Sequence, residues 1–239
     1  MLILCHLFVG TILGLVLSDL LGDRRLVAAC MAGAVLPDLI DKPLGHLLFK
    51  ATIDNGRLFT HSLLLCLILF LIAGLLISRR KGPLLMGIGV GVLSHQILDA
   101  MWTQPELWYY PLLGQYTKQS YPDFFLHMLL VELTTPTEWL FFAGILICLF
   151  SWYRGEWIRS LTPAPLIRYE RQFRTLILAL IGCAGAAALL AGFMGSDTIL
   201  TGLTTPLDNL ILGSSAVAGA ILGGFVFRKR ETRVEGWER

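Results

Sequence analysis

Charge is scarce in this sequence: Asp, Glu, Lys and Arg supply 15% of its 239 residues, against 55% apolar ones. A water-soluble domain carries about a quarter of its residues charged, so the shortage excludes water as the solvent for much of the chain. A mean hydropathy of +0.69 points to a bilayer instead. Net charge is nearly absent too, +2 in formal terms, and gives no electrostatic reason to expect nucleic acid as a partner. Cysteine is sparse: Cys5, Cys30, Cys66, Cys148 and Cys183 are odd in number, form no C-x-x-C pair and all lie in apolar stretches. That excludes a disulfide framework and a zinc ribbon and leaves small buried hydrophobes. No Lys or Arg precedes the first apolar run, and Arg24 and Arg25 follow it. The expectation is a retained helix with its N-terminus outside, not a cleavable leader.

Long apolar runs are what is present. Seven segments approach the roughly 20 residues that a helix needs to cross hydrocarbon: Leu2 to Leu21, Leu26 to Ile40, Ser62 to Ser78, Pro83 to Met101, Thr137 to Tyr153, Thr175 to Met194 and Asn209 to Phe227. The predicted fold class is all-α, a polytopic membrane helix bundle with about seven transmembrane or membrane-embedded helices. Two regions are expected: residues 1–140, with four helices and an aromatic loop, and residues 141–239, with three more helices and a basic tail. With Arg24 and Arg25 cytoplasmic, alternate crossing puts Arg79, Arg80, Lys81, Arg154, Arg159, Arg168, Arg171, Arg174, Arg228, Lys229, Arg230, Arg233 and Arg239 on the same side. Only Lys42, Lys50, Arg57 and Lys118 remain opposite, which argues for a multi-pass protein of the cytoplasmic membrane with its C-terminus inside. The external connections Asp41 to His61 and Trp102 to Pro136 are then the long ones. The second is rich in Trp, Tyr and Pro, which suits an interfacial aromatic belt or a lid over a site.

Small residues recur at four-residue spacing: Gly10 and Gly14, Gly87 and Gly91, Gly219 and Gly223. Such stripes permit close helix approach in lipid. If the first and fourth helices meet glycine face to glycine face, His6 and His95, each one such step further out, reach a shared centre.

The ionisable residues gather in the same place. The outward ends of four segments carry His6, then Asp38 with Asp41, then His61, then His95 with Asp99. Ionisable groups near hydrocarbon are costly and pair with one another, a cavity or an ion. Taken singly, each has a plainer explanation: a carbonyl partner for His6, helix termination for Asp38 and Asp41, a bundle-stabilising hydrogen bond for His95 and Asp99. Separate explanations do not predict a common face, and three carboxylates with three imidazoles call for a divalent cation. His95 and Asp99 at i, i+4 and Asp38 and Asp41 at i, i+3 project from single helical faces. The donor set suits zinc, with manganese and iron also possible, and six candidates allow a dinuclear site. His46, His127, Glu132 and Glu138 are external and available as acid/base groups. His61 and Ser62, adjacent on a helix, diverge by about 100° and form no nucleophile pair. Asp197 and Asp208 read as solvated.

These motifs resemble those of the membrane-bound metal-dependent hydrolases, the YdjM or DUF457 group. The resemblance runs through His6, Gly10 and Gly14, the stretch Leu36 to Pro43, Thr60-His61-Ser62, the His95-to-Thr103 motif and the segment Trp108 to Gly114. It covers roughly Met1 to Leu140. The chain departs from the commoner Pro-Asp-x-Asp form, with two residues between Asp38 and Asp41, and has Gly56-Arg57-Leu58 where the group often has His-Arg-Gly. The resemblance implies His6, Asp38, Asp41, His61, His95 and Asp99 as metal positions. A distant likeness to zinc-dependent phospholipase C and P1-type nucleases favours hydrolysis of a phosphoester or similar bond. On that hypothesis the substrate is a membrane lipid or a small molecule, and Asp41 or Glu132 moves the proton. The alternative is a non-catalytic, metal-stabilised scaffold or ion-handling protein. A transport pathway would spread ionisable groups through the membrane depth, whereas here they sit at one end.

Overall fold

The computed structural model describes residues 2–79, 82–118, 123–153, 163–196, 198, 201–202 and 205–237. Met1, Arg80, Lys81, Arg154, Arg159, Asp197 and Arg239, named above, lie outside the described residues, as does the side chain of Arg233. Among the described residues every regular element is helical: α1 (Ile3–Leu21), α2 (Arg25–Pro43), a π-helical turn (Leu44–Leu48), α3 (Leu63–Ser78), α4 (Leu84–Leu98), a 3-10 turn (Met101–Thr103), α5 (Pro105–Trp108), α6 (Phe124–Thr134), α7 (Pro136–Tyr153), α8 (Ala164–Arg168), α9 (Glu170–Met194) and α10 (Pro206–Trp237).

All seven expected apolar segments are helices, but they are not equivalent. α1, α7, α9 and α10 (to Thr232) are long and apolar enough to cross a membrane, whereas α3 and α4, at 16 and 15 residues, are shorter apolar helices. α2 carries Asp38, Asp41 and Lys42 and is shielded instead: Leu26, Val27, Cys30 and Ala34 are fully buried. The expected loop from Trp102 to Pro136 also holds α5 and α6, and α6 buries none of its residues. Eleven residues in a helix span about 16 Å, which places α6 below the length of a crossing.

Local chemistry sets where the site-bearing helices end. Pro43 has no N–H to give to Leu39, and the chain widens there into the π turn. Ser62 caps α3, its Oγ accepting from the Leu65 N–H at 3.3 Å. α4 stops at Asp99 because Ala100 turns left-handed at φ 50°, which reverses the chain into the 3-10 turn.

The glycine stripes of α1 and α4 do not meet each other, so the condition raised from the sequence is not the one realised. Both close on α2. A Cβ at Gly10 would stand 2.6 Å from the Ala34 Cβ and 3.0 Å from the Cys30 oxygen, and one at Gly91 only 2.3 Å from that same oxygen. α2 is thus gripped by two helices at backbone distance, and through it His6 and His95 still come together. Gly219 and Gly223 of α10 take up Phe8 and Ile12 of α1. One apolar core then joins α1 to α7, α9 and α10 through Phe8, Phe141, Ile181 and Leu212.

At the end of the bundle away from those histidines, basic residues find partners between elements. Lys229 Nζ meets Asp19 Oδ2 at 2.6 Å, the Tyr153 hydroxyl donates to the Arg24 carbonyl at 2.6 Å, and Arg174 bridges Glu170 and Glu231.

Candidate metal centre

Three elements deliver four side chains to one buried point: Asp38 from the last turns of α2, His61 from the approach to α3, and His95 with Asp99 from the end of α4. All four are buried, and one ligand atom from each lies within 4.8 Å of the other three. His61 Nε2 and His95 Nε2 are 3.1 Å apart, and Asp38 Oδ1 is 3.6 Å from each. Asp99 Oδ2 stands 3.9 Å from both. A tetrahedral ion with bonds of 2.0–2.1 Å needs ligand atoms about 3.3–3.4 Å apart, so the first three atoms have the spacing of a metal's ligands and the fourth is slightly open.

The tautomers sharpen this. His61 Nδ1 lies 2.8 Å from Asp41 Oδ2, and His95 Nδ1 lies 2.7 Å from the Ala34 carbonyl. A carboxylate and a carbonyl can only accept, so both hydrogens sit on Nδ1 and both Nε2 atoms present lone pairs. Two lone pairs facing at 3.1 Å repel unless a proton or a metal cation lies between them. Asp38 Oδ1, aimed at the same point, is buried without a hydrogen-bond partner. Imidazoles oriented through Nδ1 by a carboxylate or a carbonyl are the usual arrangement around a bound metal, and the donor set present here fits one.

The other two candidates stand beside these four. Asp41 is fully occupied: it accepts from the Thr60 N–H at 2.9 Å, the His61 N–H at 3.2 Å and His61 Nδ1. It therefore fixes the backbone and ring of His61. His6 is fully buried, stacks on His95 at 4.0 Å between centroids and reaches Asp99 Oδ1 at 3.2 Å.

Glu132 is elsewhere, accepting from the N–H groups of Ile3 and Leu4 at the start of α1, where Glu138 also accepts from Leu4 and Cys5. His46 lies in the π turn, 3.6 Å from Asp54 and stacked on Phe124, and His127 is exposed on α6.

Sequence reading missed three residues. Lys42 Nζ lies 2.5 Å from Asp38 Oδ2, and Arg57 lies 3.0 Å from Asp99 Oδ2. Gln96, buried beside His95, donates to the Thr60 and Ser62 carbonyls and accepts from Trp108 Nε1, tying the His61 segment to α5. A Gln inside an apolar helix next to a candidate ligand was a usable signal. The two cations were visible only as loop charges.

A buried His/Asp centre closed by apolar helices defines a polytopic helical membrane protein with a site that could hold a metal ion. Residues 1–192 match the family described as YdjM inner membrane protein, and the chain belongs to that family. The match passes the Leu140 limit of the sequence resemblance and runs to the end of α9. No curated protein and no solved structure matches the chain.

Proposed function

We propose that the protein is a membrane-embedded, metal-dependent hydrolase acting on a phosphoester or similar bond. The observation that carries this is the pair of lone-pair-bearing Nε2 atoms 3.1 Å apart with Asp38 Oδ1, which has no hydrogen-bond partner, 3.6 Å from each. Asp38, His61 and His95 would hold one divalent ion, zinc by donor type with manganese and iron as the alternatives, and would leave its fourth position, beside Asp99 Oδ2, to water. A single ion is the reading for four atoms that all lie within 4.8 Å of one another. When bound, such an ion polarises a scissile group and makes a nearby water more acidic.

The chain's own residues supply the rest. Asp99, one oxygen beside His6 and the other beside Arg57, is the carboxylate placed to take a proton from water. Asp41 and Ala34 keep both imidazoles pointing inward. Water adds across the bond, its hydroxyl going to the cleaved centre and its proton, by way of Asp99, to the leaving oxygen. This reading transfers the proton role from Asp41 and Glu132 to Asp99, since those two are engaged with backbone N–H groups.

The membrane supplies a substrate of matching kind. Leu47, Leu48 and Phe49 at the π turn and Phe125, Leu126 and Leu129 on α6 are exposed around the same end of the bundle. Phe124 stacks on His46 and lies under Lys42, which joins this apolar rim to the centre. Apolar groups beside a polar centre suit the headgroup level of the outer leaflet, with the N-terminus outside and the basic C-terminal end cytoplasmic.

The test is turnover on a panel of phosphomonoesters, phosphodiesters and phospholipids by the protein in detergent. Hydrolysis lost on chelation and restored by one metal is expected. Asp99→Asn is expected to lower kcat by about 10²–10⁴ while metal content holds. Turnover indifferent to chelator, or undiminished in Asp99→Asn, contradicts the reading. The burial of all four ligands favours one other reading, a closed structural metal site. It is supported instead if metal removal lowers the unfolding temperature and no substrate on the panel turns over.

A further inference from the structure

The centre is bordered by two cations that a metal site does not need. Lys42 holds Asp38 by the oxygen that does not face the imidazoles, at 2.5 Å. Arg57 holds Asp99 by the oxygen that does face them, at 3.0 Å. Lys42 and Arg57 are the most exposed side chains of the cluster, at 14% and 28% against 5% and 2% for the carboxylates they hold. They stand between the buried ligands and the outside.

The charge of this cluster becomes more positive when a metal enters. Three carboxylates, Asp38, Asp41 and Asp99, face two cations, Lys42 and Arg57, so the metal-free set offers an anion no excess of positive charge from these side chains. A divalent ion adds two positive charges to the same set, and it also competes with Arg57 for Asp99 Oδ2. A guanidinium whose carboxylate is drawn to a metal turns its planar fork of N–H donors to another oxyanion, the geometry that matches phosphate bidentately. Lys42 adds a point charge beside it, and both are partly buried, so water screens them less than it would at an open surface.

We infer that Lys42 and Arg57 form an oxyanion clamp that takes a phosphate group only after the divalent ion is in place. This rests on the metal centre proposed above and names its ligand class: the phosphate of a lipid headgroup or of a soluble phosphoester. Arg57 is the specificity-determining residue and Lys42 its partner. The order is metal first and anion second.

The experiment is binding of inorganic phosphate to the full chain in detergent, metal-loaded and chelated, with bound metal counted in parallel by mass spectrometry. Phosphate is expected to bind the loaded form alone. Arg57→Gln is expected to weaken it roughly ten-fold or more at unchanged metal content, with Arg57→Lys intermediate because it keeps the charge and loses the fork. Lys42→Gln, tested separately, is expected to weaken it as well.

Equal phosphate binding by loaded and chelated protein overturns the clamp, as does unchanged affinity in both Gln variants. A chain that binds no metal overturns the metal centre itself, so the two failures are distinguishable. Vesicles with phosphatidic acid form the second arm: tighter binding than inorganic phosphate assigns the headgroup, and weaker binding assigns a soluble phosphoester.

Discussion

His95→Ala is expected to empty the metal centre. The substitution removes one of the three closely spaced ligand atoms, the Nδ1 donor to the Ala34 carbonyl and the ring that stacks on His6. What remains of the four is His61 with the carboxylates Asp38 and Asp99. Metal sites that draw their ligands from several chain segments couple binding to folding, and this one draws on α2, the approach to α3, and α4. Two effects follow. Metal per chain falls from about one to near zero after dialysis, and the metal-dependent rise in unfolding temperature vanishes with it. His127→Ala, on the exposed face of α6, is the control and retains both. Metal retained in full by His95→Ala would mean that the ion sits elsewhere.

Gly91→Ala is expected to have the largest effect on the fold. The added methyl would lie 2.3 Å from the Cys30 oxygen, 2.6 Å from the Ala34 nitrogen and 2.8 Å from the Gly33 carbonyl carbon. Every one of these atoms is backbone, so no side chain can swing aside. α4 must draw back from α2, and the movement also takes His95 away from the Ala34 carbonyl and Asp38. Overpacking of this kind costs about 1–3 kcal/mol where neighbours can yield, and here they are helices. Loss of stability and loss of metal are expected together, read as a lower unfolding temperature and a lower metal count. Gly74→Ala makes the comparison: nothing lies within 4 Å of its added methyl, so the better helix former is expected to leave stability unchanged or raise it by up to about 1 kcal/mol. If Gly91→Ala unfolds and binds metal like the wild type, the grip on α2 is not what assembles the centre.

Most of the bundle was legible because lipid imposes a simple code. Apolar runs had to be helices, and all seven are. α6 was hidden because aromatic and proline residues around it read as loop, and an eleven-residue apolar helix with no buried side chain leaves no period to find. The site was legible as a set of residues, since His6, Asp38, Asp41, His61, His95 and Asp99 do converge. Their division of labour was not. Whether a carboxylate faces the ion or a backbone N–H depends on the path of the chain from Phe59 to Ser62, and neighbouring spacing does not encode that. Asp41 looked equivalent to Asp38 at i, i+3, yet it is consumed by Thr60 and His61. Helix pairing was half legible. The glycine stripes announced close packing, but identical stripes do not say which helix each one grips, and α2, whose Gly33 stands against Ile88, proved to be the shared partner.

X-ray absorption of the metal-loaded wild type tests the central claim most directly, because it reads the ligands rather than their consequences. The expected spectrum has nitrogen and oxygen neighbours at about 2.0–2.1 Å, scattering from two imidazole rings, no sulfur and no second metal. A sulfur shell at about 2.3 Å, a metal–metal vector, or the absence of imidazole scattering would contradict a single ion held between Asp38, His61, His95 and Asp99.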